Sequence, residues 1–355
     1  MAEEPKFGRM LLFAGAGASV GLGMPTMRSF VQRLSEADEP LRGIAARLLD
    51  RVQTADAEYL YDRLQLYAEV AELGGDDPIF EHLLGGSRRD LDTFRAQAHR
   101  ALAQLQSLML RCWGTANRAG DARYHYSSFY DQLCALNGAP LRVFTTNYDL
   151  AFESLYGFGL FDHTLVNGLA PDMESHDMVW DPLNYELVFV GDDEYDARIR
   201  KQRLFVYRLH GCSRWFGDED GTVVYQARPT ILDDTLAPIV VFPARRKDSR
   251  AFFRVYNHAY KAMQKAITEV DVCLVIGYSF RDQTISSIFP DAEYGTDFIV
   301  VDPEPDMHIL YEVFDYHEFT HLSLAFGPPE SNEGILQKCR EALEQGNPYR
   351  SARSG

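Results

Sequence analysis

Asn147, Asp149 and His210 are the residues of this chain best suited to chemistry on a small ligand. Asn147 and Asp149 belong to Thr145-Thr146-Asn147-Tyr148-Asp149, at the end of the apolar run 141–145 (LRVFT). An amide that donates and accepts, two residues from a carboxylate, can orient a water or a hydroxyl. His210, in Leu209-His210-Gly211 after the run 204–209, can act as a general base or bind a ribose hydroxyl. The glycines of Gly15-Ala16-Gly17-Ala18-Ser19, followed by Gly21-Leu22-Gly23-Met24-Pro25, let backbone amides approach a diphosphate. No Gly-Lys-Ser/Thr follows, so this is not a Walker A loop, and its spacing is not GxGxxG. Two more segments complete the set. Val275-Ile276-Gly277-Tyr278-Ser279-Phe280-Arg281-Asp282 offers a Gly/Ser turn, and Val300-Val301-Asp302-Pro303 offers an acid that can accept from ribose. Each has a plainer reading as well: a ligand-free turn, an Asx cap at Asp149, a structural histidine.

These residues share a position. Each lies at the C-terminal end of a predicted strand, at 9–14, 141–145, 204–209, 272–276 and 297–301. Further strands are expected at 186–190, 238–242 and 319–324, with helices at 26–38, 251–269 and 333–344. Buried strands alternating with helices predict an α/β fold with a doubly wound, mostly parallel, Rossmann-like sheet. Its ligands gather at the carboxyl ends of the strands. Between 41 and 137 strand signals nearly vanish. Segments 41–52, 56–73, 89–113 and 122–137 have helical apolar spacing, punctuated by Gly74–Gly75 and Gly85–Gly86. This stretch is long for one crossover and reads as a helical insertion. The expected organisation is 1–40 and 138–345 for the nucleotide domain, 41–137 for the insertion and 346–355 for a frayed tail.

The 355 residues carry 35 Lys+Arg against 52 Asp+Glu, a formal net charge of −17. That balance disfavours direct nucleic-acid binding, because a phosphate backbone would be repelled. At 46% hydrophobic, the chain is too apolar to be disordered. The 5 cysteines (Cys112, Cys134, Cys212, Cys273, Cys339) form no CxxC, against both a disulfide scaffold and a thiolate zinc site. The N-terminus lacks a signal-peptide core and no apolar run approaches the ~18 residues of a membrane span, so a cytoplasmic protein is expected. The acidic clusters Asp192–Glu194 and Asp218–Asp220 read as solvated loops. Arg245-Arg246-Lys247 with Arg250 precedes the helix at 251–269, where basic residues oppose the helix dipole. It reads as a surface turn, a phosphate contact or a partner contact.

In order along the chain, GAGAS…GMPTMR, TTNYD, LHG and IGYSF resemble the sirtuin-like NAD-binding family. More narrowly, they are similar to its bacterial antiphage-defence branch, over about residues 9–305. Phe242-Pro243-Ala244, leading to Lys247 and 251–270, also resembles that branch. The resemblance implies NAD as ligand and substrate. Gly15, Ala16, Gly17 and Ser19 would cradle its diphosphate, with Pro25 and Arg28 closing the first motif. Asn147 and Asp149, after Thr145 and Thr146, would lie beside the nicotinamide ribose. His210 would be the catalytic histidine, and Gly277, Tyr278, Ser279 and Asp302 would contact the adenosine half. Deacetylating sirtuins carry a four-cysteine zinc module after the HG motif. Here Cys212 stands alone, so no zinc ribbon and no metal are expected. Met27 replaces the usual Phe two residues after the proline, which alters the shielding of the ribose cation.

The resemblance implies an NAD hydrolase effector that cleaves the nicotinamide–ribose bond and depletes NAD in antiphage defence. The alternatives are a non-catalytic NAD- or ADP-ribose-binding regulatory subunit and an NAD-dependent protein deacylase. A free NAD hydrolase is toxic, so gating is expected by homo-oligomerisation or by an activating subunit, HerA-type ATPases among them. The insertion is the candidate assembly surface. No nucleic-acid or membrane contact is expected.

Overall fold

The structure, a computed structural model, describes residues 7–51, 57–73, 88–113, 121–156, 165–171, 178–185, 204–217, 223–225, 237–241 and 253–346. Several expectations fall outside these residues: the strand at 186–190, the glycine pairs 74–75 and 85–86, both acidic clusters, the basic run 245–250, the segment 242–244 and the tail beyond 346.

The strands are β1 (Met10–Ala14), β2 (Leu141–Thr145), β3 (Leu165–Val166), β4 (Leu169–Pro171), β5 (Met178–Trp180), β6 (Leu204–Arg208), β7 (Gly211–Gly217), β8 (Val223–Tyr225), β9 (Ala237–Val240), β10 (Val272–Ile276), β11 (Asp297–Val301) and β12 (Phe319–Leu322). Seven of them form one sheet in the order β12-β11-β10-β1-β2-β6-β3. Every pairing in it is parallel.

Residues in the central strands are buried on both sides, as their unbroken apolar runs require. Side chains alternate between the two faces. Leu11, Phe13, Cys273 and Val275 join one core, which includes Val255, Ala259 and Met263 of the helix Phe253–Ile267. Met10, Leu12, Ala14, Leu274 and Ile276 join the other, with Phe129 and Leu133 of the helix Asp121–Asn137 and Ile335 and Cys339 of the helix Pro329–Gln345. Helices on both faces make the sheet doubly wound, as predicted.

From β1 the chain fills one side of the sheet, with β2 beside it, β3 at the edge and β6 between those two, then returns to lay β10 against the other side of β1. This reversal is a topological switch point, and the crevice there opens at the carboxyl ends of β1 and β10.

A second sheet, β4-β5-β8-β7-β9, is antiparallel throughout. It was not foreseen. Apart from β7 its strands are short, and the inner side chains that betray a sheet, such as Trp180, Trp215, Val223 and Ile239, are scattered over a long stretch of sequence.

The chain divides into two compact units. The first comprises Met1–Met24, Thr115–Val240 and Arg250–Gly355; the second comprises Pro25–Gly114 and Val241–Ser249. The helix Asp121–Asn137, read from sequence as part of the insertion, packs in the core of the first unit. Residues 25–40, read as part of the nucleotide domain, lie in the second.

In the described residues of the second unit, the predicted helix at 26–38 is a short α-helix, Met27–Phe30, running into a 3-10 turn, Val31–Glu36. Its partners are the helices Leu41–Arg51, Ala57–Leu73 and Arg88–Trp113. Phe30 stacks on Trp113 at 5.1 Å, and the Trp113 indole N–H donates to the Pro25 carbonyl at 3.0 Å. Gln104 ties the helices polarly, accepting from the Leu41 amide and donating to the Glu39 carbonyl.

Candidate functional site

The sheet register aligns the strand ends. Ala14 pairs with Ile276 on one side and Thr145 on the other; Thr145 pairs with Arg208, and Ile276 with Val301. All five predicted motifs of the first unit therefore leave the sheet along one edge. Asn147 and His210 each lie two residues beyond a paired position, so adjacent strands deliver them side by side. The Tyr148 ring stacks beside the His210 imidazole at 6.2 Å between centroids.

At the switch point the glycines of two motifs meet. The Gly15 amide donates to the Ile276 carbonyl, and the Gly17 amide to the Gly277 carbonyl, both at 2.9 Å. A Cβ at Gly15 or Gly17 would run into the 277–278 backbone. Gly277 also has φ +61°, a conformation glycine adopts at little cost. These glycines are thus required by backbone-to-backbone packing, before any ligand is considered. The amides of Gly15, Gly17 and Ala18 all donate inside the fold, the last to the Gly15 carbonyl. Sequence reasoning offered these amides to a diphosphate. In the fold those three amides are already used, and the 3-10 helix Ala16–Leu22 begins between them.

Asn147 is buried. Its Nδ2 donates to the Gly15 carbonyl at 2.8 Å and to Ser19 Oγ at 3.1 Å. Its amide oxygen, used by neither bond, is the acceptor available to a ligand. Thr145 Oγ1 donates to the Ala14 carbonyl and accepts from the Asn147 amide, so it locks β2 to β1. Thr146 is half-buried beside it. Asp149 is buried and accepts from the Ala151 amide at 2.9 Å, the Asx turn that opens the helix Ala151–Tyr156. Burial raises its pKa, against the lowering effects of the Ala151 amide, Arg208 and Ser19. Ser19 thus bonds to both Asn147 and Asp149, and the two act on each other through it.

Beneath this loop lies a pair that sequence reasoning missed. Arg208 and Glu153, with side chains 0% and 1% exposed, form two bonds of 2.7 and 2.6 Å. Arg208 also donates to the Asn147 carbonyl at 3.1 Å, and Asn167 donates to Glu153 at 3.2 Å. A charged residue inside the apolar run LFVYR was the available signal.

His210 Nε2 lies 2.9 Å from Asp282 Oδ2. The other Asp282 oxygen accepts from the Thr284 and Ile285 amides and caps the helix Gln283–Ser286. Gly211, φ +77°, packs so closely that a Cβ would overlap the Ile239 carbonyl. Its role is the start of β7 and not room for a ligand.

Tyr278 is buried against Phe13 at 4.6 Å and belongs to the core, while Ser279 is exposed at the edge. Asp302 accepts from the Glu304 amide at 2.9 Å, an Asx turn after β11. Pro25 and Arg28 lie in the second unit. After His210 the chain runs directly into β7, where Cys212 is fully buried in the apolar core. Among the described residues no group of three or more His, Cys, Asp or Glu could hold a metal ion.

No curated protein matches this chain. Among solved structures, a Sir2 homologue in complex with NAD is similar, with 13% identity, 96% of this chain and 91% of that chain covered, and a TM-score of 0.46. A point variant of a Sir2 homologue in complex with ADP-ribose is similar at 14% identity, with 96% and 94% covered and a TM-score of 0.45. The family model of the SIR2-like domain matches residues 141–311, the stretch that carries Asn147, Asp149, His210, Gly277, Asp282 and Asp302.

Proposed function

We propose that this chain binds NAD at the carboxyl edge of the parallel sheet and hydrolyses its nicotinamide–ribose bond, giving nicotinamide and ADP-ribose. The observation that carries this reading is the placement of Asn147 and His210 on adjacent strand ends, next to the paired glycine turns at the switch point. The match of residues 141–311 to the SIR2-like domain supports it.

The chemistry suits these groups. As the C1′–N bond breaks, its electron pair goes to the pyridinium nitrogen, and neutral nicotinamide leaves without needing a proton. Positive charge develops at C1′, as in glycoside hydrolysis. Asn147, held by Gly15 and Ser19, presents its amide oxygen to the ribose or to the attacking water. His210 takes the proton as water adds to C1′. Asp149 fixes Asn147 through Ser19 and adds negative potential whenever it is ionised.

The test is nicotinamide release from NAD by the full-length chain, with and without an acetylated peptide. Peptide-independent release is expected. Asn147→Ala and His210→Ala should each lower it about 100-fold or more while the protein stays folded. Wild-type rates in both variants would refute the assignment. Release that requires the peptide would indicate a deacylase, and binding without turnover a regulatory subunit.

We further propose that this activity depletes NAD in antiphage defence, gated by self-association or by a HerA-type or other activating subunit. The helical insertion is our candidate assembly surface. Leu66, Tyr67 and Phe94 are exposed on its helices, with the Tyr67 and Phe94 rings 5.9 Å apart, an apolar feature suited to a second copy of the chain.

A further inference from the structure

We propose that Asp282 is the positioning residue of His210, setting which imidazole nitrogen carries the proton and which is basic; this rests on the reading of His210 as the base. The two carboxylate oxygens of Asp282 do separate jobs. Oδ1 accepts from the Thr284 amide at 3.1 Å and from the Ile285 amide at 3.4 Å; Oδ2 faces His210 Nε2 at 2.9 Å. Neither side chain is freely solvated, at 13% exposure for His210 and 15% for Asp282. An ionised carboxylate only accepts, so neutral His210 must carry its proton on Nε2. Nδ1 is then the basic nitrogen. The Tyr148 ring lies beside the imidazole at 6.2 Å between centroids and 25° between planes.

The turn that delivers Asp282 is itself shaped for the purpose. Phe280 has φ +57°, a left-handed conformation that a bulky residue adopts only when its surroundings impose it. Its ring is anchored against Tyr278 at 4.9 Å and Phe289 at 5.2 Å, and its carbonyl accepts from Ser286 Oγ at 2.8 Å. The backbone is thereby turned so that a residue two positions later reaches across from the β10 turn to the β6 turn.

Asp282→Asn separates the two jobs. An amide has one acceptor oxygen where the carboxylate has two. Asparagine is an equally good helix cap, so its oxygen keeps the Thr284 and Ile285 amides and its NH2 meets Nε2. Nε2 must then accept, and the proton moves to Nδ1.

The experiment is 15N NMR of histidine-labelled full-length chain at a pH where imidazole is neutral, with His210→Gln identifying the resonances, alongside nicotinamide release from NAD. The expected wild-type spectrum has a protonated Nε2, and Asp282→Asn inverts it with unchanged melting temperature. Where wild type turns over NAD, kcat falls by about 100- to 10,000-fold with KM unchanged. A wild-type His210 protonated on Nδ1, or an Asp282→Asn spectrum like that of wild type, overturns the proposal. So does full turnover by Asp282→Asn when His210→Ala is inactive. If no condition yields nicotinamide, the hydrolase reading fails, and the spectra still decide the tautomer.

Discussion

Asp149 shows how a single carboxylate in this loop couples stability to pH. Burial raises its pKa above the ordinary carboxylate value. In the interval between the unfolded and the folded pKa, the native state holds a proton that the unfolded state has lost. Stability from this group is therefore fully present below the unfolded value and falls as pH rises through the folded one. Asp149→Asn removes that dependence. Its stability relative to wild type should increase with pH across the interval, as measured by denaturant unfolding at a series of pH values; an unchanged difference would refute the burial argument. The cysteines give a second residue-scale prediction. Cys134, Cys212, Cys273 and Cys339 are buried, and burial holds their thiols protonated, Cys212 at about 11 and Cys134 at about 12. Cys112 is part-exposed, so a thiol reagent should label Cys112 in the native protein and the other four only on unfolding.

At the scale of elements, the loop after β2 is held from below by the Arg208–Glu153 pair and from the side by the glycine turns. Removing one member of a buried ion pair leaves the other charge unpaired. Arg208→Met should cost about 3–5 kcal/mol, and the double variant Arg208→Met/Glu153→Met should recover much of that. A denaturant double-mutant cycle reads both values, and strict additivity would show that the pair carries no coupling. The glycine contact makes a parallel prediction. Gly277→Ala places a Cβ against the Gly17 backbone at a positive φ. The cost should be about 1–3 kcal/mol in stability, with weakened NAD binding by calorimetry. Ser279, exposed one step beyond Tyr278, should tolerate Ala with little loss of stability.

For the whole molecule, the proposed gate by self-association is the feature to test. If self-association is the gate, nicotinamide release should follow the mass of the particle in solution. Tyr67→Lys with Phe94→Lys should reduce that mass and the NAD turnover together, because two charges on the exposed apolar surface oppose burial against a second copy. Light scattering coupled to gel filtration, with turnover measured on each fraction, tests this. Native mass and full turnover in the double variant would remove the surface from consideration. The net charge of −17 acts at this scale as well, because it repels a phosphate backbone at long range.

Much of the sheet was legible in the residues. Runs such as MLLFA, LRVFT and VCLVI are apolar on both faces, which only a strand covered on both sides can use, and their ends carry the polar motifs. Asn147, Asp149 and His210 stood out because polar groups at such strand ends are where ligands bind. Other features required the folded chain. Gly15, Gly17 and Gly277 lie far apart in sequence, and only the β1–β10 pairing makes each the reason for the other. Glu153, Arg208 and Asp282 gain meaning from partners that the register brings within hydrogen-bond reach. The antiparallel sheet, too, depends on distant short strands finding one another. Sequence determines what each segment can bury and which groups it can offer, since those follow from local side-chain chemistry. Which offers meet is decided by long-range pairing, because hydrogen bonds and ion pairs act over a few ångströms that only tertiary structure supplies.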